Sequence, residues 1–573
     1  MGDIVMEGPA APKNPEKRRD SFYIIKNKDI FGSQMEDGKG VQYLYQSDER
    51  LVNSAHITGG ITDEAELGLL RTVEGFKKLV HSIGVSVETG NPLDNVEFIF
   101  QMYGKNDIYG GGTNLKIHIN GDGAEKRIYL SDARWTDDDF IPGQIKVIME
   151  EAGKTAKLNV RFYLNDGFTA PEVNEEDGIN FNSEDYKNII KNSLVSKGDL
   201  RKLKNAIDKA KSGEDVTLAY IGGSITQGAG AIPLNTECYA YKSYRLFQER
   251  FGKDNNVHLI KAGIGGTPSE LGMIRFERDV LRDYTVEPDI IVIEFAVNDE
   301  GDETKGDCYE SLVRKALKLP YKPAIILLFS VFADDWNLQE RMIPIGYNYK
   351  LPMISIKNAV TPQFYKKYGE GKVLTKNQFF YDIYHPSNAG HTIMSDCIIY
   401  LMEQAANTDN ASINTDSADM PVPVAGSTFE NVKLLDKKDT YSNAEIIPGG
   451  FTDTDTVLQC VEMDGSLNQV PQFPYNWHYN GKEKDKPYFE MKIQCKALVL
   501  IFKDSGETDA AKADIYVDGR FVKTADPYIN GWLHCNPVII INESSSSTHL
   551  VHIEISKTDQ DKKFTILGFG YVH

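Results

Sequence analysis

Val216-Thr-Leu-Ala-Tyr-Ile-Gly-Gly-Ser-Ile-Thr-Gln-Gly228 decides how this chain is read. An apolar strand runs into two glycines and presents Ser224 at its carboxyl end, before a helical stretch. In open α/β sheets, ligands bind at that edge. The glycine pair lets the backbone turn sharply and lets another molecule approach it closely. Alone, the segment is also readable as a turn that merely caps a strand. It lacks the lysine and the glycine spacing of a phosphate-binding loop.

Two more strands end in the same way, and a fourth segment is a loop before the last helix. Val257-His-Leu-Ile-Lys-Ala-Gly-Ile-Gly-Gly-Thr267 leaves a strand through Gly265 and Gly266, whose backbone N–H groups can be directed outward. Asp289-Ile-Ile-Val-Ile-Glu-Phe-Ala-Val-Asn-Asp299 delivers Asn298 just past a strand end, where a side-chain amide can donate to an oxyanion. Its alternative reading is a helix cap or an Asx turn. Tyr381-Asp-Ile-Tyr-His-Pro-Ser-Asn-Ala-Gly-His391 places Asp382 and His385 three residues apart on one loop. A carboxylate there can hold the imidazole Nδ1–H, leaving Nε2 to face a serine hydroxyl. That is the nucleophile–base–orienter relay of acyl transfer.

Around these segments, apolar strands at 216–221, 257–262, 290–295 and 324–332 alternate with helices at 239–251, 268–281, 309–318 and 388–405. The pattern predicts a parallel sheet covered by helices on both faces. A helix over 199–211 opens the block, with Leu200, Leu203, Ile207 and Ala210 on one face, Asp199 as N-cap and Ser212-Gly213 as its stop.

Together the four segments resemble the GDSL/SGNH hydrolase superfamily, over roughly residues 199 to 406. The match assigns Ser224, Gly266, Asn298 and His385 to the four named positions, with Asp382 as third member of the triad. Two departures stand out: Gly223 where the family pattern has an aspartate, and Ala296 where it has a glycine. The resemblance implies a three-layer α/β/α flavodoxin-like domain and a serine esterase that needs no cofactor and no metal. Ser224 would attack an ester carbonyl. The Ser224 and Gly266 N–H groups and the Asn298 side chain would form the oxyanion hole.

The rest of the chain reads as β-rich. Residues 20–180 carry short alternating segments, including Val96–Phe100, Leu115–Ile119, Arg127–Leu130 and Leu158–Phe162, with a helical stretch over Glu64–Ile83. Residues 427–573 return to strands at Ala497–Phe502, Ala513–Val517, Val538–Ile541, Leu550–Ile555 and Phe564–Phe569, with a hairpin turn at Asp518-Gly519. Both blocks predict β-sandwiches of jelly-roll type. The expected organisation is thus an N-terminal sandwich (20–180), a catalytic α/β domain (181–406), a polar linker (407–426) and a C-terminal sandwich resembling a carbohydrate-binding module (427–573). At ~150 residues per domain, 573 residues leave room for three or four.

Composition narrows the partners. With 63 Lys and Arg against 83 Asp and Glu, the net charge is −20. That disfavours nucleic acid and anionic membrane surfaces, which require clustered cations, and leaves a neutral sugar ester open. No apolar stretch has the length of a signal peptide or a membrane span. Six cysteines lack metal-ligand spacing. These features predict a cytoplasmic enzyme working on imported oligosaccharides, and they leave monomer and homodimer open.

Flanked by sandwiches, the Gly-Gly-Ser-Ile-Thr-Gln-Gly block resembles bacterial carbohydrate esterases that deacetylate plant-wall oligosaccharides of mannan or xylan type. Candidate sugar contacts are Asp335 and Trp336 after the fourth strand, Trp477 and Tyr479 in a dense aromatic loop, and Trp532. A sugar O-acetyltransferase, or a short-chain lipase or thioesterase, would use the same catalytic residues.

Overall fold

The computed structural model describes residues 19–35, 37–44, 50–171, 178–367, 370–408, 420–439, 444–483 and 485–573. The chain divides into two compact units, Met1–Gly178 and Ile179–His573.

In the first unit, two antiparallel sheets pack face to face. One has the order Ser21–Phe31, Thr155–Leu164, Val80–Glu88, Lys126–Tyr129. The other runs Ser33–Gln34, Gly40–Leu44, Asp139–Met149, Asn95–Gly104, Asn114–Asn120. Phe100 of one sheet meets Phe162 of the other edge-on at 6.0 Å, and Phe76 closes the cluster from a helix. The predicted helical stretch over 64–83 is two short helices, Glu64–Leu69 and Val73–Leu79, and then a strand from Val80. β-branched Val80, Ile83, Val85 and Val87 are buried and favour the pleated conformation there.

In the second unit, α1 (Arg201–Ser212) precedes β1 (Val216–Gly222), α2 (Ser224–Gln227), α3 (Tyr239–Phe251), β2 (Val257–Gly263), α4 (Ser269–Ile274), β3 (Ile290–Glu294), α5 (Asp307–Leu317), β4 (Ala324–Phe329), β5 (Met353–Ser355) and α6 (Asn388–Ala406). The sheet order is β2-β1-β3-β4-β5, all parallel, with Leu194–Ser196 antiparallel at the far edge. This is the flavodoxin-like arrangement, whose crevice opens between β1 and β3. Residues at the ends of β1, β2 and β3 therefore converge there. Gly213 ends α1 in the left-handed region, whereas Asp199 bonds Arg201 and Leu200 takes the N-cap position.

The last block is a sheet of eight strands with its own core, plus a separate two-stranded ribbon, Cys460–Glu462 with Gln469–Pro471. Its longest strands are β6 (Tyr488–Asp504), β7 (His534–Ile555) and β8 (Phe564–Val572). The segments predicted at 538–541 and 550–555 are parts of one strand. The hairpin turn forms as expected, with Asp518 and Gly519 both at positive φ.

This sheet shares a core with the α/β layers, and Ile179–His573 forms one compact unit. A bulge between Cys495 and Ala497 shifts the alternation of β6. Phe489, Met491, Ile493, Cys495, Leu498, Leu500 and Phe502 then face the sheet's own core. Ala497, Val499 and Ile501 join the core of the α/β domain. Of the expected linker, 409–419 lie outside the described residues. Residues 424–426 are pinned: buried Glu310 accepts from the N–H groups of Val424, Ala425 and Gly426.

Ile501→Ala should cost roughly 2–5 kcal/mol by opening a cavity in the shared core. Calorimetry of residues 179–573 should show one transition moving as a whole; two separating transitions would contradict the shared core.

Candidate active site

The site begins where β1 leaves the sheet. Gly223 leads into the one-turn helix α2, which puts Ser224 at its first position and ends at Gly228 in the left-handed region. The Ser224 hydroxyl lies 2.9 Å from His385 Nε2. His385 Nδ1 lies 2.9 and 3.0 Å from the two Asp382 oxygens. Facing a carboxylate, Nδ1 carries the hydrogen, so Nε2 accepts from the Ser224 Oγ–H. Asp382 is itself held by the N–H groups of Tyr384 and His385. The Tyr381 N–H bonds the His385 carbonyl and closes the loop. Ser387 then caps α6. The relay that the spacing of Asp382 and His385 predicts is thus assembled in space.

The donors lie at neighbouring strand ends. Among the described residues, no protein acceptor takes the N–H of Ser224 or of Gly266. The Asn298 amide lies against Gly223: a Cβ on Gly223 would stand 2.2 Å from Asn298 Oδ1. In this chain, therefore, a side chain at 223 would crowd the Asn298 amide as it now lies. Gly266 is doubly required. Its φ is +70°, and a Cβ there would come within 2.6 Å of the Trp532 ring.

Buried charges hold these strand ends. Arg275 is fully buried; its guanidinium donates to Gly222 O at 2.9 Å and Ala262 O at 2.8 Å, and pairs with Asp279 at 3.0 Å. Glu294, at the end of β3, accepts from Thr226 on α2 at 3.1 Å. Burial pushes its carboxyl up to about 7. His391 is a structural histidine: it accepts from the Tyr239 N–H and donates to Ala229 O, and burial pushes it down to about 3. Residue by residue, sequence reasoning did not single out Arg275 or Glu294, although a charged residue within an apolar run, as in Ile290-Ile-Val-Ile-Glu294, was the available signal.

The candidate sugar contacts divide. Trp336, half-buried, stacks on Phe332, which meets Tyr384 next to His385, so it borders the site. Trp532 is 41% exposed, and its ring lies against Gly266. Asp335 is engaged elsewhere: it accepts from Tyr365 and pairs with Lys376 at 3.5 Å. Trp477 and Tyr479 are core residues, 2% and 0% exposed. They form a short strand on β8, not a loop; Trp477 packs between Phe489 and Phe569. Tyr479 donates to Gln560 O. The cluster's density reflects packing, because large aromatics bury the most area.

Among the described residues, no group of His, Cys, Asp and Glu could hold a metal ion, and no helix is long and apolar enough to cross a membrane.

Residues 220–393 match the model of the GDSL-like Lipase/Acylhydrolase family. With the fold and the relay, this makes the chain a carboxylic ester hydrolase built on a GDSL/SGNH domain. It is similar to a two-domain esterase active on acetylated mannans, with 27% identity over 67% of this chain and 99% of that one and a TM-score of 0.56. A structure of such an esterase crystallised with mannopentaose matches at 26% identity, over 67% and 98% of the two chains, with a TM-score of 0.56. No curated protein matches the chain.

Gly223→Ala should displace the Asn298 amide and lower kcat on p-nitrophenyl acetate by roughly 10²–10³, the loss expected for one oxyanion donor, with the circular dichroism spectrum unchanged. Glu294 holds its proton more tightly folded than unfolded. Its contribution to stability is therefore complete below the ordinary value of 4.5 and lost as pH rises through about 7. Glu294→Gln should flatten the decline of Tm between about pH 5 and 8; an unchanged slope would count against the buried acid.

Proposed function

We propose that the chain removes O-acetyl groups from acetylated plant-wall oligosaccharides of mannan or xylan type through an acyl-enzyme. The observation that carries this reading is the 2.9 Å Ser224–His385 contact near an exposed aromatic ring, Trp532, which lies against Gly266 on the neighbouring turn. An indole face stacks well on a sugar ring and poorly selects for an extended acyl chain. Likeness to the esterase active on acetylated mannans favours mannan as polymer.

In this reading His385 Nε2 takes the Ser224 proton as Oγ attacks the acetyl carbonyl. The negative charge that forms on the carbonyl oxygen is held by the N–H groups of Ser224 and Gly266 and by Asn298 Nδ2–H. Asp382 stabilises the imidazolium. The imidazolium then returns its proton to the departing sugar oxygen, leaving acetyl-Ser224. Water, deprotonated by His385, attacks this ester, and acetate and free serine result.

Trp532 and Trp336 are the proposed sugar contacts, and the C-terminal sheet acts as a carbohydrate-binding element. The N-terminal sandwich is read as an accessory domain. Six free cysteines support a reducing compartment.

Ser224→Ala should lower acetate release from acetylated mannan oligosaccharides on the order of 10⁶-fold, followed by NMR. Trp532→Ala should raise KM for the oligosaccharide more than for p-nitrophenyl acetate. Activity that peaks on C8 or longer esters would reject the sugar reading in favour of a lipase or thioesterase. Acetyl transfer to a second sugar in preference to water would make the protein a transferase.

A further inference from the structure

Two glutamines converge on the turn that carries Gly266. The Gly265 N–H donates to Gln227 Oε1 at 2.9 Å. The Gly265 carbonyl accepts from Gln459 Nε2, also at 2.9 Å. Neither amide can be reversed. Gln459 Oε1 accepts from the Cys535 N–H at 3.0 Å, and Gln227 Nε2 donates to Glu462 Oε2 at 2.8 Å, so each amide has a donor on one side and an acceptor on the other. Gln459 is buried, which makes an unmade hydrogen bond there costly.

The peptide unit linking Gly265 to Gly266 is planar and trans, so its C=O and N–H point in opposite directions. Anchoring the Gly265 carbonyl on Gln459 therefore turns the Gly266 N–H away from the Gln459 amide. Ser224 adjoins this turn: a Cβ on Gly265 would stand 3.8 Å from Ser224 Cβ and 3.9 Å from Gln459 Nε2. His534 holds the following carbonyl. Its Nε2–H donates to Gly266 O at 3.0 Å while Nδ1 accepts from Asn530 at 3.3 Å. Both anchors, Gln459 and His534, come from the block that folds as the C-terminal sheet.

We propose that Gln459 is a positioning residue that aims the Gly266 N–H at the oxyanion. The C-terminal block thereby takes part in the chemical step as well as in binding sugar. The inference rests on the reading of Gly266 as an oxyanion donor. Two glycines in succession have many accessible conformations, and a peptide flip at 265–266 would withdraw the donor. Gln459 removes that freedom before substrate arrives, which is the preorganisation that electrostatic stabilisation requires.

The test is Gln459→Glu and Gln459→Leu in the full chain. Ionised glutamate keeps the acceptor for the Cys535 N–H, loses the donor to Gly265 and sets a charge against that carbonyl; leucine keeps most of the bulk and makes neither hydrogen bond. Both should lower kcat on p-nitrophenyl acetate by about 10- to 100-fold, the scale of an ångström-sized misplacement, with KM within about twofold. Inhibition by an arylboronic acid, whose tetrahedral serine adduct fills the oxyanion site, should weaken in parallel. Affinity for a mannan oligosaccharide, measured in a Ser224→Ala background, should not change. A kcat within twofold of wild type in Gln459→Glu, with Ser224→Ala inactive, overturns the inference and leaves the esterase reading intact. Loss of kcat together with raised KM and a lower Tm also overturns it, since that marks a structural role. Full turnover by Ser224→Ala overturns the esterase reading itself.

Discussion

The architecture of the site turns on one constraint: two backbone N–H groups, those of Ser224 and Gly266, stay without protein partners among the described residues, at strand ends whose neighbouring groups are hydrogen-bonded. Backbone donors left free near a core are costly, so the groups around them have to be satisfied without consuming these two. Arg275 does so for β1 and β2. It takes Gly222 O and Ala262 O, the carbonyls just before the two turns, and its own charge is compensated by Asp279. A guanidinium with several fixed donors can serve two strands and a carboxylate at once; an ammonium lacks that planar geometry. Gln227 and Gln459 complete the pairing on either side of Gly265.

The same economy explains why the last block cannot be treated as an appendage. The run Ala497-Leu-Val-Leu-Ile-Phe502 is apolar at every position. A sheet with one solvated face alternates, whereas continuous apolar sequence means burial on both faces. β6 meets that description: even-numbered Leu498, Leu500 and Phe502 fill its own sheet, and odd-numbered Ala497, Val499 and Ile501 fill the core shared with the α/β layers. Once this interface is set, Gln459, Trp532 and His534 have fixed positions over the Gly265-Gly266 turn. Trp532 and the Gly265-Gly266 turn are then joined through one packed core, so a change in either is felt by the other.

Much of the catalytic block was legible from residues alone, because its signals are local. A strand that ends in Gly-Gly-Ser, a second that ends in Gly-Gly, a third that ends in Asn, and an Asp-x-x-His loop each specify what they present within a dozen residues. Sheet order follows from connection rules once the strands are known. The missed elements depend on distant partners. Val80–Ile83 continues a helical pattern in sequence but is captured by pairing with Tyr163 and Leu164. Trp477 and Tyr479 have the composition of a sugar platform, and only the closure of β8 over them shows that they are core. Asp335 follows the fourth strand as an acid facing a cleft would, yet Tyr365 and Lys376, from segments 30 and 41 residues away, engage it.

Sequence by itself determined the chemistry: a serine, a histidine and an aspartate in an order and at spacings that a parallel sheet brings to one edge. The reason is that the strand ends of such a sheet are placed by short-range periodicity and by right-handed connections, both written in neighbouring residues. Tertiary structure alone decided which donors stay free, which aromatics face solvent and which domain orients the oxyanion turn. Those properties belong to packing between segments far apart in the chain, such as Gly265 and Gln459, 194 residues apart. No local pattern encodes whether a buried amide finds its partner; that is settled only when both surfaces have been brought together and water has left.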